Sequence, residues 1–208
     1  MKRIATGLAM LLAIVVAGCQ GVNDTGSGQG AYSEATPAST ASQEETLFDG
    51  SSLEGWRMLG DANWHIVEDY VEANSGDGFL VTPGDYSDFH LTLEFWTDPD
   101  ANSGIFIRCS DPNDVGAANA YEVNIYDKRP DPAYRTGGIV NLASPMAQID
   151  AAGQWNTYEI TAEGPRLVVK LNGTLTVDTE DTKFASGPIA LQYGAGIVRF
   201  RNVRIMPL

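Results

Sequence analysis

The sequence predicts an all-β fold in which two antiparallel sheets pack as a jelly-roll sandwich, and three observations carry that prediction. Apolar and polar residues alternate in short runs from Asn63 onward, Gly, Asn, Asp and Pro punctuate the runs, and no segment sustains helical periodicity. Alternation gives each strand one face for a core and one for water, so the stable solution is sheet on sheet.

In chain order, Asn63 to Val67 and Tyr70 to Ala73 flank Glu68-Asp69 as a short hairpin. Phe79 to Thr82 follows, and Asp88 to Trp96 is a long alternating strand. Ser103 to Cys109, Ala120 to Tyr126 and Gly138 to Leu142 continue the pattern. Gln154 to Ala162, Arg166 to Leu171, Thr174 to Val177, Ile189 to Tyr193 and Val198 to Ile205 complete it. Asn172-Gly173 between two such runs predicts a type I′ turn, because both residues tolerate positive φ. Asn172-Gly173-Thr174 also fits a glycosylation sequon, and the turn takes precedence.

Ahead of the sandwich the chain changes character twice. Lys2 and Arg3 precede an apolar run from Ile4 to Val16, then come Ala17, Gly18 and Cys19. A positive start, a short apolar centre and small residues describe a secretory leader over residues 1–18, too short to span a bilayer. Small residues followed at once by cysteine resemble a bacterial lipoprotein signal, which implies lipidation of Cys19, attachment to the membrane through that lipid only, and a place in the cell envelope. Gln20 follows where Asp would favour the inner membrane, which points to the outer one. The rest of 19–46 is Gly, Ser, Thr, Ala and Gln with four acids and no Lys or Arg, too poor in apolar surface to fold, and reads as a tether. The folded domain is 47–208.

Net charge is -14, and setting aside the two basic residues of the leader and the four acids of the tether leaves the domain at -12. Nucleic acid and anionic lipid are excluded as partners, since both are bound through basic contacts to phosphate. With Cys19 taken by lipid, Cys109 stands alone, so no intrachain disulfide and no cysteine metal site is available. Its position at a strand end suits a small buried residue better than a reactive thiol. No cofactor is indicated. Asp98, Asp100, Asp111 and Asp114 lie in two loops that could supply oxygen ligands to a divalent cation such as calcium, although aspartates in turns are usually local caps.

Strand parity sorts the remaining side chains. Phe89, Leu91, Leu93 and Phe95 share one face of their strand and leave Glu94 and Trp96 on the other. Ile105 and Ile107 go with the core, opposite Phe106 and Arg108; Tyr121, Val123 and Ile125 oppose Glu122, Asn124 and Tyr126; and Gln192 lies between Leu191 and Tyr193. If these strands are neighbours in one sheet, Glu94, Arg108, Glu122, Asn124 and Gln192 form a polar patch bordered by Trp96, Phe106 and Tyr126. Such a patch suits a carbohydrate, whose hydroxyls need directed hydrogen bonds and whose C–H faces stack on rings. The alternative is an ordinary polar sandwich face with Glu94 and Arg108 as a weak cross-strand ion pair.

Leu47-Phe48-Asp49-Gly50-Ser51-Ser52-Leu53-Glu54-Gly55-Trp56 is similar to "LFNGKDLSGW", the opening of the 3-keto-disaccharide hydrolase domain family, also described as 3-keto-glucoside lyase and 3-keto-2-hydroxy-glucal hydratase. Trp64 to Ala73, Phe79 to Thr82, Trp155-Asn156-Thr157-Tyr158-Glu159 and Leu171-Asn172-Gly173 resemble its later blocks in order. The resemblance covers the whole folded domain and implies a concanavalin-like jelly roll and a hydrolase or lyase acting on 3-keto-glycosides in the envelope. A ketone at C3 acidifies the C2 hydrogen, so a base can remove it, the C1 substituent leaves, and water adds to the enone. On that reading Glu122 is the base, Glu94 or Asp127 the acid, Arg108 steadies the enolate, and Asn124 and Gln192 orient hydroxyls. Asp127 also reads as the polar end of a strand before Lys128-Arg129-Pro130. Many members carry an Asp-His pair after the glutamine where this chain has Tyr193-Gly194, which keeps a non-catalytic carbohydrate-binding lipoprotein as the alternative.

Overall fold

The computed structural model describes residues 43–208; the leader, Cys19 and most of the tether lie outside the described residues. Alternating burial along the chain resolves into thirteen strands: β1 (Glu45–Phe48), β2 (Arg57–Gly60), β3 (His65–Val67), β4 (Tyr70–Ala73), β5 (Gly78–Val81), β6 (Phe89–Thr97), β7 (Ser103–Ile107), β8 (Tyr121–Ile125), β9 (Trp155–Glu163), β10 (Arg166–Leu171), β11 (Thr174–Glu180), β12 (Ala190–Tyr193) and β13 (Val198–Pro207). An eight-stranded sheet runs β11-β10-β9-β6-β13-β4-β3, with β1 also paired to β13, and a five-stranded sheet runs β2-β5-β12-β7-β8. All pairings are antiparallel. The fold is the all-β jelly-roll sandwich that the sequence predicts.

The core is where parity places it. Phe89, Leu91, Leu93 and Phe95 of β6 are fully buried, as are Ile105 and Ile107 of β7, Val123 and Ile125 of β8 and Leu191 of β12. Each such side chain contributes roughly 1.5–3 kcal/mol on leaving water. Asn172 (φ 51°) and Gly173 (φ 76°) form the two-residue turn between β10 and β11. The Asn172 side chain adds to that corner, accepting from the Thr157 amide at 2.9 Å and donating to Asn156 Oδ1 at 2.9 Å.

Two local expectations are corrected, and one strand is added. Gly138 to Leu142 is not a strand: Ile139 makes only isolated bridges to Val123 and Ala143, within a connection whose one regular element is a 3₁₀ turn at Pro132–Tyr134. The sandwich begins at Glu45, two residues before the boundary drawn at Leu47, because β1 pairs with the C-terminal half of β13. The strand β2 has no alternating signature, since it is a sheet edge with Met58 exposed.

Candidate active site

The strands β7, β8 and β12 lie side by side in the five-stranded sheet, so their outward residues share one face. Register pairs Phe106 with Glu122, Gly104 with Asn124, Ala190 with Phe106 and Gln192 with Phe79. Gly104 therefore lies between Gln192 and the β8 carboxylate. A Cβ built there would stand 3.2 Å from Glu122 Cγ and 3.5 Å from Gln192 Oε1. Glycine in mid-strand leaves a backbone floor on which the acid and the amide pack closely from either side.

Neither flanking group is satisfied within the chain. Gln192 Oε1 is buried with no hydrogen-bond partner. The half-buried Glu122 carboxyl is perturbed only by burial, which pushes its pKa up to about 7, and by the Arg129 charge, which pulls the other way. A buried acceptor without a donor costs about 1–3 kcal/mol, so Gln192 Oε1, beside a half-buried carboxyl with no partner among the described residues, is an arrangement awaiting donors. Sugar hydroxyls are such donors, and a carboxyl poised near neutrality can take a proton and give it back.

Loops wall this floor on two sides. The β7–β8 connection folds Val115 onto Phe106, Val81 and Ala190, and Arg57 of β2 ties the same loop down by donating to the Pro112 carbonyl. Phe106 is in consequence 1% exposed and edge-on to Phe79, with ring centroids 5.3 Å apart. The aromatic surface beside Gln192 is thus the half-exposed Phe79. On the other side, Asn124 is buried and donates to the Tyr134 carbonyl, while Tyr158 reaches out of the core, donating to Asn124 O at 2.7 Å and accepting from the Gly137 amide at 2.8 Å. Both fix the β8–β9 connection, which carries Tyr126, Arg129 and Tyr134.

The structure brings Glu122, Asn124, Gln192 and Phe106 to one face, with Tyr126 at its margin, and separates the rest. Glu94 and Trp96 belong to β6, in the opposite sheet, and point away from Glu122. There Glu94 accepts from Arg201 Nε at 2.7 Å and from Asn202 at 3.1 Å, and Trp96 lies 4.2 Å beneath the Arg199 guanidinium. Arg108 is 2% exposed in a left-handed conformation (φ 52°) that turns it off the strand face. It donates to Ser87 O at 2.7 Å, Gly164 O at 2.8 Å, Phe184 O at 3.4 Å and Asp88 at 3.0 Å. A cleft of about 240 Å³ beside it, lined by Asp88, Asp181 and Thr182, lies at the loop end of the sandwich. Asp127 accepts from Thr136 Oγ1 at 2.5 Å and from the Ala151 and Ala152 amides at 2.7 and 2.9 Å, which is its strand-end role. The single patch expected from parity is therefore two faces and a clamp. Parity states which way a residue points, while hydrogen-bonding partners decide which sheet it points from.

The loop aspartates act locally. Asp98 accepts from the Asp100 amide, Asp111 from Asn113 and Asp114 from Asn119, while Asp100 pairs with Lys128. Among the described residues no three acidic, His or Cys groups cluster as metal ligands. The Cys109 thiol is buried and pushed up to about 12 by that burial, consistent with a packing role. Sequence reasoning missed Phe79, Gly104 and Arg129. The glycine interrupting a strand pattern was the available signal for Gly104, and alternation with Leu80 was the one for Phe79.

The family model for the 3-keto-alpha-glucoside-1,2-lyase-like domain matches residues 43–206, essentially the whole described sandwich. The chain belongs to this family. Among relatives of this 3-keto-alpha-glucoside-1,2-lyase-like domain is a 3-keto-disaccharide hydrolase of Bacteroides thetaiotaomicron, 26% identical over 211 residues that cover 77% of this chain and 73% of that protein. A solved structure from Parabacteroides distasonis, assigned as a glycosyl hydrolase, superposes with a TM-score of 0.69 at 24% identity, covering 80% of this chain and 100% of that one. The carbohydrate-binding module CBM66 of Bacillus subtilis shares the fold at a TM-score of 0.58 and 23% identity, over 72% of this chain and 94% of the module.

Proposed function

We propose that this domain cleaves 3-keto-glycosides by removing the C2 proton, expelling the C1 substituent and hydrating the product, with Glu122 as the base. The observation that carries the reading is the Glu122 carboxyl itself: raised to about 7, unpaired, and facing the unsatisfied Gln192 Oε1 across the bare Gly104 backbone. The family match and the resemblance to the Bacteroides relative support this substrate class. Atoms balance without an oxidant, because the ketone is already present. The C2–H electrons form an enolate, the enolate re-forms the ketone as the C1–O bond breaks, and water adds across C1=C2. With Glu94 on the opposite sheet and Asp127 tied to backbone amides, the departing oxygen takes its proton from solvent. Gln192 accepts from a ring hydroxyl and Phe79 offers a ring face. We place the reaction in the cell envelope, the domain tethered through lipidated Cys19.

The test is NMR of the purified protein with a panel of 3-keto-disaccharides in deuterated water. C2 exchange and release of the C1 substituent are expected, and both should vanish in Glu122→Gln with folding unchanged. Full turnover by that variant would remove the assignment. A binding-only module is the second reading, favoured by the lack of a second carboxylate from the sequence-derived set on this face. It predicts ligand-induced thermal stabilisation with no product.

A further inference from the structure

We propose that Arg129 is the group that holds the substrate's C3 oxygen as it becomes an enolate, the part the sequence offered to Arg108. The inference rests on the C2-abstraction reading above. Arg108 cannot serve, because its guanidinium is committed to three backbone carbonyls and Asp88.

Every other arginine among the described residues has an acceptor: Arg57 on Pro112 O, Arg135 on Arg129 O, and Arg166, Arg199, Arg201 and Arg204 on carboxylates. Among the described residues Arg129 donates no hydrogen bond from its side chain and makes no ion pair, in a chain with 27 acids against 13 Lys and Arg. Acids are plentiful, yet none of the described ones is placed on it. Nor is it loose. Its guanidinium carbon lies 5.6 Å from the Tyr126 ring centre and 5.9 Å from that of Tyr134.

The loop beneath it is built tightly. The Arg129 amide closes a turn onto Tyr126 O at 3.3 Å, Arg135 Nε donates to Arg129 O at 3.0 Å, and Asp131 caps the 3₁₀ turn through the Ala133 amide at 3.0 Å. Tyr126 continues the outward row of β8 that bears Glu122 and Asn124, so the cation stands at the margin of the Gly104 floor. Its charge is felt at the Glu122 carboxyl. A fork of donors with no acceptor among the described residues, held at the end of the outward row that carries the base, is the pre-organised arrangement that stabilises a developing oxyanion.

Kinetics of Arg129→Met and Arg129→Lys on the 3-keto-disaccharide cleaved by the wild type, with melting temperatures and pH profiles, test this. Arg129→Met should lose about 10²–10³ in kcat and in C2 exchange with KM little changed, as removal of one oxyanion donor does. Its acid limb should move upward in pH, because the charge opposing protonation of Glu122 is gone. Arg129→Lys keeps the charge but not the fork, so the limb should stay in place while kcat falls at least about tenfold. Wild-type kcat in either folded variant overturns the inference and leaves the Glu122 reading standing. If Arg129→Met does not fold, Arg129→Lys alone decides. If the wild type cleaves none of the panel, the reading of the site falls and takes this inference with it.

Discussion

Glu122 and Arg108 are both charged groups removed from water, and their surroundings give them opposite tasks. Arg108 is compensated by four acceptors, so it fastens the β5–β6, β9–β10 and β11–β12 connections to one another. Glu122 is uncompensated, and the cost appears in its titration. With a folded pKa raised from 4.5 to about 7, the stability belonging to its neutral form is fully present below about pH 4.5 and is lost as pH rises through about 7. Glu122→Gln should therefore be more stable than the wild type above about pH 7, by roughly 1–3 kcal/mol, and show no advantage below about pH 4.5. Urea unfolding at the two pH values measures this. A variant less stable than the wild type at the higher pH would mean that the carboxylate is held by a partner and is not waiting for one.

Among the elements, β7 does the most to shape the site. Its inward residues, Ser103, Ile105 and Ile107, fasten it to the core, and its outward face presents glycine where a side chain would press on Glu122 and Gln192. Gly104→Ala should fold, since φ there is not left-handed, the flexible Glu122 side chain can yield, and the Val123 carbonyl, 3.3 Å from the new Cβ, has only about a tenth of an ångström to give. The methyl group would nevertheless occupy the space between Glu122 and Gln192, and a loss of at least about tenfold in kcat/KM is expected at near-constant melting temperature. Undiminished turnover would show that the substrate does not approach that floor. The eight-stranded sheet uses its outer face differently. Arg199 stacks on Tyr70 and Trp96, Arg201 stacks on Trp155, and Glu72 and Glu94 accept from the same two arginines. Glu94 and Trp96 are thus components of a self-satisfied ladder across β4, β13, β6 and β9.

Across the whole molecule, the acidic domain disfavours polyanions, and the lipidation proposed for Cys19 would set its location. Replacing Cys19 by Ala in the full chain should move the protein from the detergent phase to the aqueous phase on phase partitioning, with turnover unaltered. An unchanged distribution would remove the lipid anchor. The fold class, the strand parity and the Asn172-Gly173 turn were legible in the sequence because each follows from local pattern: period-two hydrophobicity, and tolerance of positive φ. So was the outward position of Glu122, an acid between Tyr121 and Val123 in a strand whose other face is core. Strands β1 and β2 left little trace, because short edge strands are half in water and need not alternate. What only the tertiary structure decided is the company each outward residue keeps. That β6 joins β9 and β13 while β7 joins β8 and β12 separates Glu94 from Glu122, and one left-handed residue turns Arg108 from the strand face into a clamp. The physical reason is that side-chain direction is fixed within a strand by its own pleat, whereas sheet membership depends on hydrogen bonds to segments far away in the chain.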